Sequence, residues 1–309
     1  MPQGSVLGPV LFLIYINDLE HGAERLVEII CKFADDTKLG NRVASQQGRA
    51  DLQKALDVMC EWADTWGMVF NVKKCKVMHV GRNNPEYTYT MNGQTLDTTD
   101  EERDIGVIMS KNLKLHAQCA RATRKAQTVL GQLTRAFHFR DRHIFVRLYT
   151  QYVRPHLEFA SPAWSPWLEA DKEVLEKVQM RAVRMVSGLE GHTYEERLNK
   201  LGLTTLEERR HQQDMLQAHK ILSGSDKVNS ETWFAMASDN AAERVTRAAA
   251  DPLGLKIPAN RLEVRKHFFS QRVPEQWNKI PLDVREKVTA AAFKAAYAAH
   301  RRGQAATAS

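Results

Sequence analysis

Apolar residues in the first third of the chain follow two patterns that predict helices. The run over residues 6–16 is apolar at nearly every position, which predicts a buried helix that begins near Ser5 and extends to about Leu19. Residues 49–66 have apolar side chains three and four positions apart, which predicts a helix with one buried face. The residues that define this face are Leu52, Leu56, Met59 and Ala63.

Short apolar and β-branched runs around these helices predict strands. One run ends at Asp35, and two more occupy residues 69–80 and 87–96. Asn92-Gly93 lies inside the last run and is a strong signal for a two-residue hairpin turn. The order of helix, strand, helix and strands predicts an α+β fold with a split antiparallel sheet.

The pattern becomes helical after residue 117. Apolar side chains recur three and four positions apart over residues 122–137, which predicts an amphipathic helix. Asp141 is a favourable residue for the start of a second helix, and Pro155 is expected to end it. The remainder of the chain contains further helical patterns and no internal repeat.

Three parts follow from these patterns. Residues 1–110 form the α+β part, and residues 111–190 form a basic helical part. Residues 191–309 form a helical C-terminal region, whose first helix is expected to start at Thr193. Within this region, residues 223–262 are weakly patterned and rich in Ser, Asn and Ala, which predicts a loop.

Charge is distributed unevenly between these parts. The net charge of +7 combines 11 basic and 16 acidic side chains in residues 1–110 with 33 basic and 21 acidic side chains in residues 111–309. Residues 111–155 alone contain ten basic residues and one acid. Such a basic run favours contact with a phosphate backbone, although a solvated helix surface has the same composition. Six tryptophans could stack on bases, but most are expected in the core.

The cysteines and the apolar run bear on where the protein resides. Four cysteines without a Cys-x-x-Cys pair favour a reduced, intracellular protein, in the nucleus or the cytoplasm. The run over residues 6–16 is too short to span a membrane and has no basic start, which argues against a secretory signal. A zinc site is a further alternative, and its four ligands would be Cys75, His79, His116 and Cys119.

Asp35 and Asp36 are the main candidates for chemistry. They directly follow an apolar run, and a strand or hairpin end holds such a pair rigidly at the surface. Two carboxylates there offer the hard oxygen ligands that a divalent cation prefers. Asp also favours turns through local hydrogen bonds, so the pair alone is compatible with a simple turn.

The motifs around this pair extend the interpretation. The segment PQGSVLGPVLFLIYINDL at residues 2–19, followed by FADDTK at residues 33–38, resembles the palm of a reverse transcriptase from a non-LTR retrotransposon of the LINE-type, jockey-like group. Similar motifs continue in the family's order. They are WGMVFNVKKCKVM at 66–78, DIGV at 104–107, LYTQYVRPHLE at 148–158 and WNKIP at 277–281.

The resemblance implies roles for the Asp pair and its cofactor. Asp35 and Asp36 would bind Mg²⁺, with Mn²⁺ as a possible substitute, and Asp35 would be the main ligand. By the same resemblance, Lys74 would approach the triphosphate and protonate the leaving pyrophosphate, and Lys73 and Lys76 are alternatives. Residues 1–110 would then be part of the polymerase palm.

The resemblance also implies residues that contact nucleotide and nucleic acid. Gln3 and Gly4 would line the site of the incoming nucleotide. Gly106 would belong to the hairpin that grips the primer end. Residues 111–190 would form the thumb, whose contacts with phosphate come from Arg121, Arg124 and Lys125.

The implied function is that of a fragment of an RNA-directed DNA polymerase. Its partners would be an RNA template, a DNA primer and a dNTP, and no membrane. In this family a further Asp, upstream of the PQG motif, also binds the metals, and the sequence begins at Met1. We therefore expect the polypeptide to be inactive alone and to need an N-terminal half. The alternative is a non-catalytic nucleic-acid-binding remnant of a decayed element.

Overall fold

The computed structural model describes residues 4, 6–138, 141–237 and 251–307. Two compact units are present, one formed by residues 1–103 and 109–113, the other by residues 104–108 and 114–309. Helices and small sheets occur together, which confirms the α+β class. Ser5 and most of the weakly patterned segment after residue 237 lie outside the described residues.

The first unit contains two helices, α1 (Gly8–Tyr15) and α2 (Gln46–Thr65). The hydroxyl oxygen of Ser45 accepts a hydrogen bond of 3.0 Å from the backbone N–H of Gly48, which caps the start of α2. Helix α2 buries Met59 and Ala63, as its sequence predicts. It contributes to two small apolar clusters, one with Leu19 and one with Tyr89.

Helix α1 differs from its prediction in length and in burial. It ends at Tyr15, four residues before the predicted end, and its N-cap position is Leu7, whose side chain makes no capping hydrogen bond. The prediction that it is buried was wrong: none of its residues is buried, and Ile14 is 67% exposed. An apolar side chain is buried only where another surface covers it, and the described residues cover α1 incompletely.

Eight short strands form four separate two-stranded sheets in the described chain. β1 (Ile29–Phe33) and β2 (Asp36–Gly40) are antiparallel, as are β4 (Thr90–Met91) and β5 (Gln94–Thr95). The remaining strands are β3 (Lys76–Val77), which pairs in parallel with β6 (Asp97–Thr98), and β7 (Glu101–Asp104), which pairs with β8 (Val107–Ser110). The sheets are thus more fragmented than a single split antiparallel sheet.

The hairpin turn at Asn92-Gly93 is confirmed, but the neighbouring strand prediction was mostly wrong. Asn92 and Gly93 have φ of 49° and 71°, the left-handed values that a two-residue hairpin turn requires. Residues 69–80 instead contain a 3-10 helix at Val72–Lys74, and only β3 is extended. The apolar residues in this segment pack against α2 without a long partner strand to pair with.

The second unit is helical. Its helices are α3 (His116–Ala136), α4 (Arg142–Leu148), α5 (Arg154–Glu158), α6 (Ser161–Trp164), α7 (Glu169–Arg184), α8 (Tyr194–Leu201), α9 (Leu206–Leu222), α10 (Glu263–Lys266), α11 (Phe269–Asn278), α12 (Leu282–Arg285) and α13 (Ala290–Thr307). A 3-10 turn at Ser230–Thr232 lies within the predicted loop. The predicted caps Asp141 and Thr193 both accept backbone hydrogen bonds at helix starts.

Pro155 does not end the helix that Asp141 begins. Helix α4 continues through a π-helical turn at Tyr149–Val153 into α5, and Pro155 lies in the first turn of α5. The π turn directly before Pro155 interrupts the regular hydrogen-bond pattern of the helix, which allows a residue without a backbone N–H to follow it. The helix ends only at Glu158, so this prediction was wrong.

Two apolar clusters hold the second unit together. The first extends from Cys119 to Leu206, and the second from Met215 to Tyr297. Trp164 and Trp277 are each 1% exposed and belong to different clusters, as expected of core tryptophans.

Gln179 on α7 joins three elements inside the first cluster. Its side chain is fully buried, its oxygen accepts a hydrogen bond of 2.8 Å from the Tyr149 hydroxyl, and its amide donates to the Thr204 carbonyl at 3.0 Å. The same amide also lies 2.9 Å from the Tyr194 hydroxyl. Burial raises the pKa of Tyr149 well above its usual value, so its hydroxyl remains a proton donor.

Replacing Gln179 with Leu is expected to destabilise the chain by about 2–4 kcal/mol, because it leaves buried polar groups unpaired. Urea denaturation followed by circular dichroism measures this change. Lys177→Leu, on the exposed side of the same helix, is the matched control and should shift stability by less than about 0.5 kcal/mol. Equal effects of the two substitutions would contradict the assigned role of Gln179.

Candidate metal and nucleic-acid site

Asp35 and Asp36 lie at the tip of the hairpin formed by β1 and β2. Asp36 opens β2 and pairs with Phe33, so Ala34 and Asp35 form the two-residue turn between the strands. Ala34 has a φ of 52°, the left-handed value that this tight turn requires. Both carboxylates are exposed, and the predicted hairpin end is confirmed.

The two faces of this hairpin differ in exposure. Ile29 and Phe33, on the outer face, are 52% and 62% exposed. Ile30, Lys32 and Leu39 on the inner face are half-buried against the neighbouring cluster. The inner face thus fixes the hairpin, while the tip and the outer face are open to solvent.

Lys32 anchors the hairpin. Its Nζ donates hydrogen bonds to the backbone carbonyls of Ile16, at 2.8 Å, and Asn17, at 2.9 Å, and forms an ion pair with Glu20. These contacts join β1 to the segment that follows α1. Lys32 was not among the site residues predicted from the sequence, because no local pattern places its Nζ against carbonyls fifteen and sixteen residues earlier in the chain.

Aromatic side chains fix the end of α1 against α2. The Tyr15 hydroxyl donates to the backbone carbonyl of Trp66, and the Tyr15 ring meets the Trp62 ring edge-on, with centroids 6.3 Å apart. Trp62 Nε1 also donates to the carboxylate of Asp18 at 3.2 Å. The segment that receives Lys32 is therefore itself held to α2.

The Asp pair alone would provide only part of a two-metal site. No group of three or more His, Cys, Asp or Glu side chains able to hold a metal ion occurs among the described residues. A depression of about 420 Å³ near the hairpin is lined by Glu28 and Asn41, at the open end of the hairpin and not at the tip. Two exposed carboxylates can hold one hydrated divalent cation, but fixing two ions requires further acidic ligands.

The residues expected to contact nucleotide lie in different surroundings. Gln3 lies outside the described residues, and Gly4 has a φ of 89°, with open space where a Cβ would stand. Lys74 ends the 3-10 helix and is exposed. Lys76 forms an ion pair with Asp97 at 2.7 Å, which makes it a weaker alternative to Lys74.

Gly106 is required by a contact within the second unit. It lies between β7 and β8 with a φ of 89°, and a Cβ there would lie 3.1 Å from Cε1 of Phe159. Phe159 itself is 55% exposed, and the adjacent Ile105 is 62% exposed. The glycine therefore allows the turn to approach Phe159, and both neighbours present an apolar surface to solvent.

The basic residues predicted on α3 lie on its outer side. Arg124 and Lys125 are exposed and Arg121 is half-buried, whereas the opposite face packs into the first cluster through Ala122 and Ala126. Partial burial, with a contribution from the charge of Lys125, lowers the pKa of His156. This outer side of α3 can receive phosphate groups without reading a base sequence.

The alternative zinc site was wrong. Cys119 is 1% exposed, and burial raises the pKa of its thiol to about 12, which disfavours the thiolate that zinc binds. His116 Nδ1 lies 2.9 Å from the carboxylate of Asp171. The four proposed ligands form no metal-binding group in the part of the chain that the structure describes.

This geometry defines an α+β protein with a candidate divalent-cation site at a hairpin tip. Residues 1–130 match the family model described as reverse transcriptase (RNA-dependent DNA polymerase). The chain is 26% identical over 198 residues to the RNA-directed DNA polymerase from mobile element jockey of Drosophila funebris, covering 61% of this chain and 22% of that protein. It is 23% identical over 251 residues to the probable RNA-directed DNA polymerase from transposon BS of Drosophila melanogaster, covering 72% and 27%.

The chain is thus similar to RNA-directed DNA polymerases of mobile elements, and its residues 1–130 match the reverse transcriptase family. It spans about a fifth to a quarter of the length of these relatives. No solved structure matches it. None of the described helices is both long and apolar enough to cross a membrane.

Proposed function

We propose that this chain contributes catalytic carboxylates to an RNA-directed DNA polymerase that extends a DNA primer on an RNA template. The observation that carries the proposal is the placement of Asp35 and Asp36 together at an anchored hairpin tip, within the segment that matches the reverse transcriptase family. Residues 1–110 would be the partial palm, residues 111–190 the thumb and residues 191–309 a helical C-terminal region.

Asp35 and Asp36 would hold Mg²⁺, or Mn²⁺ in its place. When bound, the cation neutralises phosphate charge and favours ionisation of the primer 3′-hydroxyl. The hairpin positions the two carboxylates: Lys32 fixes β1, and the tight turn after Phe33 places both carboxylates in solvent. Lys74 would donate a proton to the departing pyrophosphate.

Further acidic ligands would come from another part of the polymerase. The described residues supply no third carboxylate to the Asp pair, and two-metal catalysis needs ligands from separate segments. We therefore propose that an N-terminal portion of the polymerase is a partner in catalysis and that residues 1–309 alone are inactive. The cysteine pattern supports an intracellular setting for this assembly.

A second candidate function is nucleic-acid binding without catalysis. It is favoured by the outer side of α3, whose cations face solvent while its inner side is packed. This function needs neither the Asp pair nor a partner. Binding to an RNA–DNA duplex with Asp35→Asn unchanged from wild type, and no extension under any condition, would favour it over the polymerase.

Replacing Arg121, Arg124 and Lys125 together with Ala is expected to weaken duplex binding because three phosphate contacts are removed. The slope of log K against log salt should become less steep by about 2–3, close to 0.9 per contact. Fluorescence anisotropy with an RNA–DNA duplex measures both quantities. The matched control removes three exposed cations of α7, Lys177, Arg181 and Arg184, and should change the slope by less than about 1. Identical slopes for the two triple variants would contradict a specific role for α3.

A further inference from the structure

Residues 256–268 present cations and apolar side chains to solvent together. Four cations in this segment are exposed and one acid accompanies them: Lys256, Arg261, Arg265 and Lys266, with Glu263. Glu263 pairs with Lys266 at 2.7 Å and with His267 at 3.4 Å. Neither Arg261 nor Arg265 forms an ion pair with a described residue, so both guanidinium groups are available to an anionic partner.

An aromatic stack borders these cations. The rings of His267 and Trp167 are parallel, with centroids 4.7 Å apart and planes inclined by 1°. Arg272 fixes the backbone next to this stack. Its guanidinium donates hydrogen bonds to the backbone carbonyls of His267, at 2.7 Å, and Pro162, at 2.8 Å. Its guanidinium is paired in turn with the buried carboxylate of Asp214. The stack is thus built into the unit and is preorganised.

Further apolar side chains extend the same surface. Phe269 directly follows this segment. The Trp233 ring contacts the Phe269 ring edge-on, with centroids 5.9 Å apart. Trp233 nevertheless remains 42% exposed, Phe268 is 43% exposed and Leu262 is 65% exposed. Arg272 lies over the Phe269 ring at 5.7 Å, which connects Trp233 with the His267 stack through direct contacts.

We propose that this C-terminal surface, formed by residues 256–268 with Trp167 and Trp233, binds single-stranded nucleic acid. Exposed guanidinium groups would contact phosphates, and the exposed aromatic rings would stack on unpaired bases, each stacked base contributing about 1–3 kcal/mol. A duplex keeps its bases stacked internally and cannot use the aromatic rings. The proposal does not depend on catalysis by the Asp pair.

The surface is less suited to a lipid bilayer. Two of its four exposed cations lie on α10, which has only four residues, whereas membrane-surface helices need an extended apolar face. The rigid His267–Trp167 stack also matches the flat shape of a base more closely than the flexible chains of a lipid.

The test measures binding of the full chain to fluorescein-labelled strands of about 20 nucleotides, as single-stranded RNA, single-stranded DNA and RNA–DNA duplex. Arg261→Ala with Arg265→Ala should weaken single-strand binding about tenfold and make the salt slope less steep by about 1.4, at 0.7 per contact. Duplex binding should change less than about twofold. The matched control, Arg181→Ala with Arg184→Ala on α7, should leave single-strand binding within about twofold of wild type.

A second pair of variants tests stacking separately from charge. Trp233→Ala should weaken single-strand binding by about fivefold or more, whereas Trp233→Phe should retain most of it. Circular dichroism establishes that each variant remains folded. The proposal is overturned if both arginine pairs weaken binding equally, if Trp233→Ala binds as tightly as Trp233→Phe, or if phosphatidylserine vesicles bind the chain and single strands do not.

Discussion

We expect the chain to self-associate through the exposed apolar side chains of α1, and changing Val10 to Glu and Ile14 to Lys should weaken this association more than tenfold without reducing helical content. Both side chains lie on α1, and they are 55% and 67% exposed. Removing two exposed apolar side chains should cost association at least about 2 kcal/mol. The new side chains are four residues apart in the order that stabilises a helix, and they leave the net charge unchanged.

Ile16 provides the control for this prediction. It directly follows α1 but is only 2% exposed. Ile16→Glu should therefore unfold the first unit, whereas the α1 double variant only weakens self-association. Analytical ultracentrifugation measures self-association, and circular dichroism measures helical content. If the α1 double variant loses as much helical content as Ile16→Glu, the outer side of α1 is packed in solution and is not an exposed surface.

Replacing Asp35 with Asn is expected to reduce templated extension on the order of 10³-fold in a hybrid polymerase. The hybrid carries this chain in place of the matching segment of the Drosophila funebris jockey polymerase. Asn keeps the shape of Asp but loses the negative charge that holds the cation, and metal stabilisation of transition-state charge is worth several kcal/mol. Primer extension with labelled dNTP and either Mg²⁺ or Mn²⁺ measures the loss.

A second exposed carboxylate in the same unit serves as the control, because it tests whether the loss of extension is specific to Asp35. Asp64 is exposed near the end of α2, and Asp64→Asn should leave extension within about twofold of the unsubstituted hybrid. Equal losses for Asp35→Asn and Asp64→Asn would mean that Asp35 acts through stability or overall charge, which would remove the metal-binding role.

Local signals in the sequence were sufficient for several elements. The hairpin turn at Asn92-Gly93 follows from two residues that tolerate left-handed backbone, and the caps at Asp141 and Thr193 follow from single side chains that accept backbone hydrogen bonds. The hairpin tip with Asp35 was predictable for the same reason, because Asp is disfavoured within a strand and favoured in a turn.

Features that depend on distant contacts were not predictable from local patterns. Lys32 positions the Asp pair through carbonyls that lie fifteen and sixteen residues earlier in the chain, which no spacing rule identifies. The exposure of α1 depends on what covers it, and the helix through Pro155 depends on a π turn packed against α3. In each case, packing between distant segments overrode a local preference.

Extension by the unsubstituted hybrid polymerase shows whether this chain supplies catalytic carboxylates. With an RNA template, a DNA primer, all four dNTPs and Mg²⁺, we predict a product complementary to the template, and we predict no product from residues 1–309 alone. A hybrid that folds and binds the RNA–DNA duplex but adds no nucleotide with Mg²⁺ or Mn²⁺ would contradict the catalytic role of Asp35 and Asp36.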